Sequence, residues 1–243
     1  MSARGGTGSM AEKHVQKEVS RSRPIFAHRE EGGRRLVEFM DPAPEPDAVV
    51  LGVPRGGVPV AKPLADALDC ALYPILTRKL PIPDSPEAGF GAVSLETGRV
   101  LNDSMVRRAG LGEERMEEIV RRVREELRRR AREYDMGLPE PDLSDRHVYL
   151  VDDGLATGYT MIAAAREVQA ARPRRLTLAV PVSPGNTLDR VAELFDELFC
   201  LYCQTSLPFG VAGFYARFEE MSDEQVRRNL RQANPERSDN GPE

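Results

Sequence analysis

The sequence contains few of the residues that build metal cages and disulfide frameworks. Among 243 residues there are three cysteines and three histidines, and the histidines are scattered. Cys200 and Cys203 form a C-x-x-C, but a zinc site needs about four ligands and no second pair exists. We interpret these two as small apolar side chains in or beside a strand, and we expect all three thiols to be reduced.

Long apolar runs are also missing. None approaches the roughly 20 residues that cross a bilayer, and the N-terminal stretch has no apolar core of the kind found in a secretory signal. We therefore expect a cytoplasmic protein without a membrane partner. Only four residues are lysines and the net charge is −5, which argues against broad neutralisation of nucleic-acid phosphates. No nucleic-acid partner is expected.

The length fits one domain with tails. Residues 1–22 and 233–243 are polar and low in apolar content, and we expect both to be disordered. Residues 23–232 are long enough to bury a substantial core, so they form the predicted domain.

Two kinds of apolar pattern alternate along this domain. Short continuous apolar runs of the type found in buried parallel strands occur at 48–53, 72–77, 147–151, 176–182 and 197–202. Helical segments are predicted at 58–68, 103–135, 159–171 and 185–195. This alternation predicts a doubly wound α/β domain with a mostly parallel sheet, whose ligands bind at the carboxyl ends of the strands.

One long connection interrupts the alternation. Residues 78–102 contain three prolines and end in GAVSLETGRVLN, which predicts a small hairpin that turns near Thr97-Gly98. Long loops at the carboxyl end of a strand often close over a site, so we predict a flexible lid at residues 80–102.

The end of the strand at 147–151 combines acids with an anion-binding pattern. Asp152 and Asp153 precede a loop, residues 155–160, that leads into a helix. Free backbone N–H groups at a helix start bind phosphate, and Gly158 would let the backbone approach closely. The two carboxylates are suited to accept hydrogen bonds from the vicinal hydroxyls of a ribose. A strand that simply ends in a turn and a helix cap would use similar residues.

Three motifs in order resemble those of one family. VYLVDDGLATGYT resembles the motif of type I phosphoribosyltransferases that binds 5-phosphoribosyl-1-diphosphate (PRPP). VPRGGVPVA resembles their pyrophosphate loop, and Arg78-Lys79 resembles the start of their flexible catalytic loop. Over roughly residues 24–232 the chain is most similar to phosphoribosyltransferases associated with erythromycin-esterase-like proteins. The resemblance implies the type I fold, with a lid and a small C-terminal hood.

The resemblance also implies roles for individual residues. Asp152 and Asp153 would bind the ribose hydroxyls and stabilise the cationic sugar, and the 5-phosphate would lie on Ala156, Thr157, Gly158, Tyr159 and Thr160. The pyrophosphate would meet Arg55, Gly56 and Gly57, with Arg78 and Lys79 adding positive charge and a cis peptide expected at Arg55-Gly56. Tyr159 departs from the small residue usual at its position, and the loop residue Glu87 has no assigned role.

A cofactor and an acceptor site follow from the same resemblance. Mg²⁺ would be held mainly by the substrate and water, with Asp152 or Asp153 as the only direct protein ligand considered. The hood, residues 208–220, would supply an aromatic side chain to stack on the acceptor, with Phe214 and Tyr215 as candidates beside Phe218. The alternative is that these aromatics belong to the core or to an interface.

The predicted function is transfer of the 5-phosphoribosyl group from PRPP to an unidentified acceptor, a nucleobase or another nitrogen heterocycle, with release of pyrophosphate. The alternative is a regulatory protein of the same fold that binds PRPP or a nucleotide without catalysis. A third, weaker hypothesis is a partner of a neighbouring hydrolase that docks through residues 103–135. A homodimer is the oligomer considered.

Overall fold

The computed structural model of the protein describes residues 11–83, 85–134 and 141–234. The strands are β1 (Glu12–Val19), β2 (Val49–Gly52), β3 (Ala71–Pro74), β4 (Thr77–Ile82), β5 (Ser85–Ser94), β6 (Arg99–Leu101), β7 (His147–Val151), β8 (Arg175–Pro184) and β9 (Glu197–Gln204). The helices are α1 (Arg29–Met40), α2 (Gly57–Leu68), α3 (Asp103–Arg108), α4 (Glu113–Tyr134), α5 (Tyr159–Ala170), α6 (Gly185–Ala192) and α7 (Asp223–Ala233), with a short 3-10 helix at Val211–Phe214. In this part of the chain, no helix has the length and apolar character to cross a membrane.

The central sheet has six parallel strands in the order β1-β9-β8-β7-β2-β3. Its inner strands β2 and β7 are buried throughout. Alternate side chains point to opposite faces of a strand, so Val148 and Leu150 enter one core and Tyr149 and Val151 the other. Helices α1, α2, α4 and α7 cover one face, and α5 and α6 cover the other. The predicted doubly wound α/β class is confirmed.

Residues 77–101 form a second, three-stranded antiparallel sheet in the order β4-β5-β6. The hairpin predicted near Thr97-Gly98 joins β5 to β6. Its turn is fixed to α5 because the Glu167 carboxylate accepts hydrogen bonds from Ser94, Thr97 and Gly98 at 2.7–3.0 Å. The predicted lid, residues 80–102, therefore contains a packed sheet that is fixed to α5 at this end, and its closure over the site stays a prediction.

The N-terminal prediction is wrong for residues 12–19. These residues form β1, which pairs in parallel with β9 at the edge of the central sheet. The sequence EKHVQKEV is polar because most of this edge strand is exposed, so it does not show the apolar run expected of a strand. At the other terminus the described structure extends past residue 232, the predicted end of the domain. Helix α7 continues to Ala233, and the buried Asn234 donates to the carbonyl of Leu72.

The helix predicted at residues 103–135 is divided into two. Helix α3 ends at Arg108 and α4 begins at Glu113. Between them Gly110 adopts a φ of +61°, a left-handed conformation that glycine reaches without steric cost and that ends helices. Residue 135 itself lies outside the described residues.

Candidate functional site

The two loops singled out in the sequence meet at the carboxyl ends of β2 and β7. These strands are neighbours, with Gly52 opposite Val151, so the chain leaves the sheet side by side at both positions. The loop that follows β2 packs directly on the acids that follow β7. A methyl group on Gly56 would lie 2.0 Å from Asp153 Oδ2, and one on Gly57 would lie 2.7 Å from the carbonyl oxygen of Val151. Both positions require glycine for this close approach.

The loop after β2 contains a cis peptide bond that does not involve a proline nitrogen. The bond is Pro54-Arg55. The expected position, Arg55-Gly56, is therefore wrong by one residue, although the bond does lie in the predicted loop.

The two acids are held by short contacts. Asp152 Oδ1 accepts a hydrogen bond from the backbone N–H of Asp153 at 2.8 Å. Asp153 Oδ2 pairs with Arg29 Nε at 2.7 Å, and the hydroxyl of Tyr215 donates to the carbonyl oxygen of Asp153 at 2.7 Å. The second carboxylate oxygen of Asp152 makes no hydrogen bond to any described residue, so it is available to a ligand.

Burial raises the pKa of both carboxyl groups. The negative charge of Asp153 raises the pKa of Asp152 further, whereas the backbone N–H of Asp153 and Arg29 act against the rise. For Asp153 the hydrogen bond and the positive charge of Arg29 partly offset burial. Two adjacent acids in this position favour contact with hydroxyl donors and with positive charge.

Arg29 is the site residue that the sequence did not reveal. It is the first residue of α1, and its side chain and that of Asp153 are each 13% exposed. Besides the ion pair, Arg29 donates to the carbonyl of Glu219 at 2.8 Å and lies over the ring of Phe218, 3.8 Å from its centroid. It is 124 positions from Asp153, and a lone arginine in a polar segment carries no local signal.

The predicted phosphate loop precedes α5 as expected. Gly158 is the N-cap residue with a φ of +79°, which favours glycine. Two side chains of helix α6 donate hydrogen bonds to the loop. Thr187 Oγ1 donates to the carbonyl of Ala156 and Arg190 Nη1 donates to that of Thr157, each at 2.8 Å. Ala156 and Thr157 are exposed, and the first turn of α5 begins directly after this loop. This arrangement suits an anion.

The other two residues of that loop begin α5. Tyr159 and Thr160 are half-buried. The guanidinium of Arg190 lies 5.7 Å from the centroid of the Tyr159 ring, and the ring packs against the core beneath α5. The larger side chain at this position is thus accommodated beside the loop.

Arg55 forms an ion pair with the hood, residues 208–220. Its guanidinium pairs with the carboxylate of Glu220, and the Arg55 side chain is 30% exposed. Arg55 therefore lies between the loop after β2 and residues 218–221, where a second anion could reach it.

Arg78 and Lys79 lie on β4, in the second sheet. Arg78 pairs with Glu126 of α4 at 3.1 Å, and no described hydrogen bond or ion pair joins it to the loops after β2 and β7. Lys79 is exposed and its stem passes over Gly89, where a methyl group would lie 2.4 Å from Cγ. The side chain of Glu87 lies outside the described part of the structure. A role for Arg78 or Lys79 in the site stays a prediction.

The candidate stacking residues are part of the core. Phe214 is fully buried and Tyr215 is 4% exposed, packed 5.2 Å from Phe26. Neither ring presents a face for an acceptor, so the structure supports the alternative that these aromatics are structural. Phe218 is half-buried, with Arg29 over its ring.

A polar cavity of about 330 Å³ adjoins the site. Its wall contains Arg29 and Glu220, which pair with Asp153 and Arg55 respectively. The remaining lining residues are His28, Glu30, Pro59, Arg217, Glu219, Met221, Gln225 and Asn229. Apart from Pro59 and Met221 these are polar or charged, so the cavity favours a polar molecule.

Within the described residues, one group of three side chains is spaced for a metal ion. Glu12, His14 and Glu197 lie at the amino ends of β1 and β9, whereas Asp152 follows the carboxyl end of β7. Glu197 also accepts from Arg175 at 2.8 Å, which makes this group an ion-pair cluster at the sheet edge.

Comparison with known proteins connects this geometry to one family. Residues 29–218 match the phosphoribosyl transferase domain. Two Mycobacterium tuberculosis proteins provisionally named as phosphoribosyl transferases, from strains H37Rv and CDC 1551, are 38% identical over 202 residues, 83% of this chain. The chain spans about half the length of these curated relatives, 45% of each.

A solved structure shares the fold over almost its full length. The crystal structure of TT1426 from Thermus thermophilus is 35% identical, with a TM-score of 0.69, and the match covers 85% of this chain and 98% of that one. The narrower resemblance to proteins associated with erythromycin esterases is not tested by these relatives and stays a prediction. With the domain match, the relatives and the loop geometry in agreement, the chain belongs to the type I phosphoribosyltransferase family.

Proposed function

We propose that the protein transfers the 5-phosphoribosyl group of PRPP to a nitrogen acceptor and releases pyrophosphate. The observation that carries this proposal is the contact between the loop after β2 and the acids after β7, with the anion loop three to seven residues after Asp153. A ribose that carries a phosphate at one end and a pyrophosphate at the other needs these three groups at one edge of a sheet.

Each group has a task in the displacement. As the bond to pyrophosphate breaks, the sugar ring becomes positive, and Asp152 and Asp153 stabilise that charge while they hold the ring. The N–H groups at residues 156–160 bind the 5-phosphate. Arg55 stabilises the negative charge of the leaving group, since guanidinium groups bind phosphate oxygens in pairs. Arg78 would assist only after leaving Glu126, with which it is paired, and Lys79 is its neighbour on β4.

The residues at the site fit Mg²⁺. The free carboxylate oxygen of Asp152 is a hard oxygen donor, and Mg²⁺ is usually held by one or two carboxylates together with substrate phosphates and water. Bound there, Mg²⁺ would neutralise part of the charge on the leaving group. Asp153 is less suited to the metal because its Oδ2 is occupied by Arg29.

The cavity beside Arg29 is the proposed location of the acceptor. It holds about 330 Å³, enough for a small heterocycle, and is lined mostly by polar groups. A nucleobase or another nitrogen heterocycle bound here would rely on hydrogen bonds more than on stacking, because Phe214 and Tyr215 are buried. We place the reaction in the cytoplasm, and a homodimer is the assembly we propose to test by size-exclusion chromatography.

A regulatory protein that binds PRPP without turnover is the second candidate. The pairing of Arg55 with Glu220 favours it, since a sensor could keep the leaving-group arginine occupied. The geometry of the acid pair favours the transferase.

The deciding experiment is incubation of the protein with PRPP, Mg²⁺ and a panel of nitrogen heterocycles, with pyrophosphate release as the readout. Release that depends on one acceptor would support the transferase. PRPP binding without release for any acceptor would favour the sensor, and absence of PRPP binding would contradict both.

A further inference from the structure

Two ion pairs connect the proposed PRPP site to one short piece of the hood. Glu220 pairs with Arg55, which would meet the pyrophosphate. Arg29 pairs with Asp153, which would meet the ribose, and it also binds the Glu219 carbonyl and the Phe218 ring. Residues 218–220 are called the latch segment below. The pyrophosphate and the ribose of the bound substrate would therefore act on the same three residues.

Pyrophosphate cannot approach Arg55 without affecting Glu220. The negative charges of a pyrophosphate bound to Arg55 would lie beside the Glu220 carboxylate, and charges of the same sign in contact repel each other. The Glu220 side chain is 81% exposed, so it can leave Arg55 for water at little cost. The bidentate contact between guanidinium and phosphate is the stronger of the two. Pyrophosphate therefore has to displace Glu220 from Arg55 in order to bind there.

The ribose acts on the latch segment through Arg29. Asp153 Oδ2 and Arg29 Nε both lie close to the backbone of Gly56: a methyl group on Gly56 would be 2.0 Å from the carboxylate oxygen and 2.9 Å from the guanidinium nitrogen. A ribose hydroxyl that donates to the Asp153 carboxylate shares its negative charge with the guanidinium and weakens the ion pair. Because Arg29 also holds the Glu219 carbonyl, any shift of Arg29 is transmitted to the latch segment.

The latch segment borders the polar cavity. Glu219 and Glu220 line it, together with Arg29. Movement of these residues changes the shape and charge of the proposed acceptor site, which stands next to the ribose acids.

We infer that Arg29 and Glu220 are positioning residues that make the acceptor cavity respond to PRPP. PRPP displaces Glu220 from Arg55 and shares Asp153 with Arg29, the latch segment moves, and the shape and charge of the acceptor cavity change. This inference rests on the proposed function, because it requires that PRPP bind between Arg55 and Asp153.

The first test compares Glu220→Gln with Glu118→Gln by calorimetric titration with Mg²⁺-pyrophosphate. Glu220→Gln removes the competing charge, and we expect binding to tighten about two- to fivefold, the range of an exposed ion pair. Glu118→Gln makes the same chemical change in an exposed ion pair with Arg115 on α4 and should leave binding unchanged. Equal affinities of both variants and the wild type would overturn the role of Glu220.

The second test follows the latch segment directly. The chain contains no tryptophan, so Phe218→Trp introduces a single fluorophore into it. We expect its emission to change when Mg²⁺ and PRPP are added. Phe199→Trp is the matched control, since Phe199 is also half-buried but lies on β9 beside His14. Its emission should not change.

The two failures are distinguishable by a parallel titration of PRPP into each variant. If PRPP binds Phe218→Trp but its emission stays constant, the latch inference is wrong and the proposed function stands. If PRPP binds neither the variants nor the wild type, the proposed function is wrong and the inference falls with it.

Discussion

At the scale of single residues, the two adjacent acids differ in what their charge does to stability. Asp152 is buried next to another carboxylate, and its pKa is raised above the ordinary value of 3.8. The folded protein therefore binds the proton more tightly, and stability is lost as the pH rises from that value. Asp153 has a cation beside it, and removing its charge would leave the largely buried Arg29 without its anionic partner.

Asparagine at these two positions should consequently change the free energy of unfolding by different amounts, because only Asp153 is paired with a cation. Asp152→Asn keeps an oxygen for the N–H of residue 153 and should raise the free energy of unfolding at neutral pH, with the gain vanishing near pH 4. Asp153→Asn should raise it by less than Asp152→Asn does, because the relief of a buried charge is offset by the loss of the ion pair with Arg29. Urea unfolding at both pH values measures this.

The same two variants, and their combination, should lose phosphoribosyl transfer. The double variant is expected to fold and to show no pyrophosphate release above background. Full activity of a folded double variant would contradict the assignment of the ribose site. A loss of stability in Asp152→Asn at neutral pH would contradict the account of its burial.

The residues of this site were predictable to different degrees. Asp152, Asp153 and Gly158 occupy a local pattern of strand, acids, glycine and helix, and the structure brings the two acids to the loop that contains Gly56. Arg29 had no such pattern. Its role depends on a contact with a residue in a distant strand end, which only the packing of α1 on the sheet determines.

At the scale of elements, the connection between β5 and β6 depends on one carboxylate. Burial raises the pKa of Glu167, but hydrogen bonds from Ser94, Gly98 and Thr97 outweigh it, and the pKa lies below its ordinary value of 4.5. The carboxylate therefore contributes stability above that value, and the contribution is lost as the pH falls through the lowered pKa.

Glu167→Gln should destabilise the protein by about 1–3 kcal/mol at pH 7, because an amide places donors against the N–H groups of the turn. The difference from the wild type should shrink at about pH 4. Glu125→Gln on the exposed face of α4 is the control and should have little effect. Equal urea midpoints for all three proteins would contradict this role of Glu167. Hydrogen exchange at residues 94–98 would show whether the turn is the part that loses stability.

Elements in the interior were easier to predict than those at the margins. The strand at 147–151 was located without error because buried parallel strands read as continuous apolar runs. Strand β1 was missed because it is an edge strand with a mostly exposed, charged sequence. The division between α3 and α4 was missed because the apolar stripe of α4 continues in phase with the residues before Gly110.

At the scale of the whole molecule, β1 joins the start of the described chain to β9 near its end. Lys13 pairs with Asp189 at 2.7 Å, and the ring of His14 stacks on Phe199 with 4.5 Å between centroids. On its other side β9 pairs with β8, and six of its eight residues are buried. The edge of an apolar strand is thus covered by a polar one, a common protection against association between sheets.

Removal of residues 1–20 should therefore expose the N–H and C=O groups along β9. We expect a lower free energy of unfolding and concentration-dependent association, since β9 is apolar and unprotected at its edge. His14→Ala is the control, because it removes the stack on Phe199 and the contact with Glu197 but keeps the backbone pairing, and it should stay at the wild-type oligomeric state. Sedimentation velocity over a concentration series distinguishes the two variants. A truncated protein with unchanged stability and size distribution would show that β1 contributes nothing to the sheet in solution.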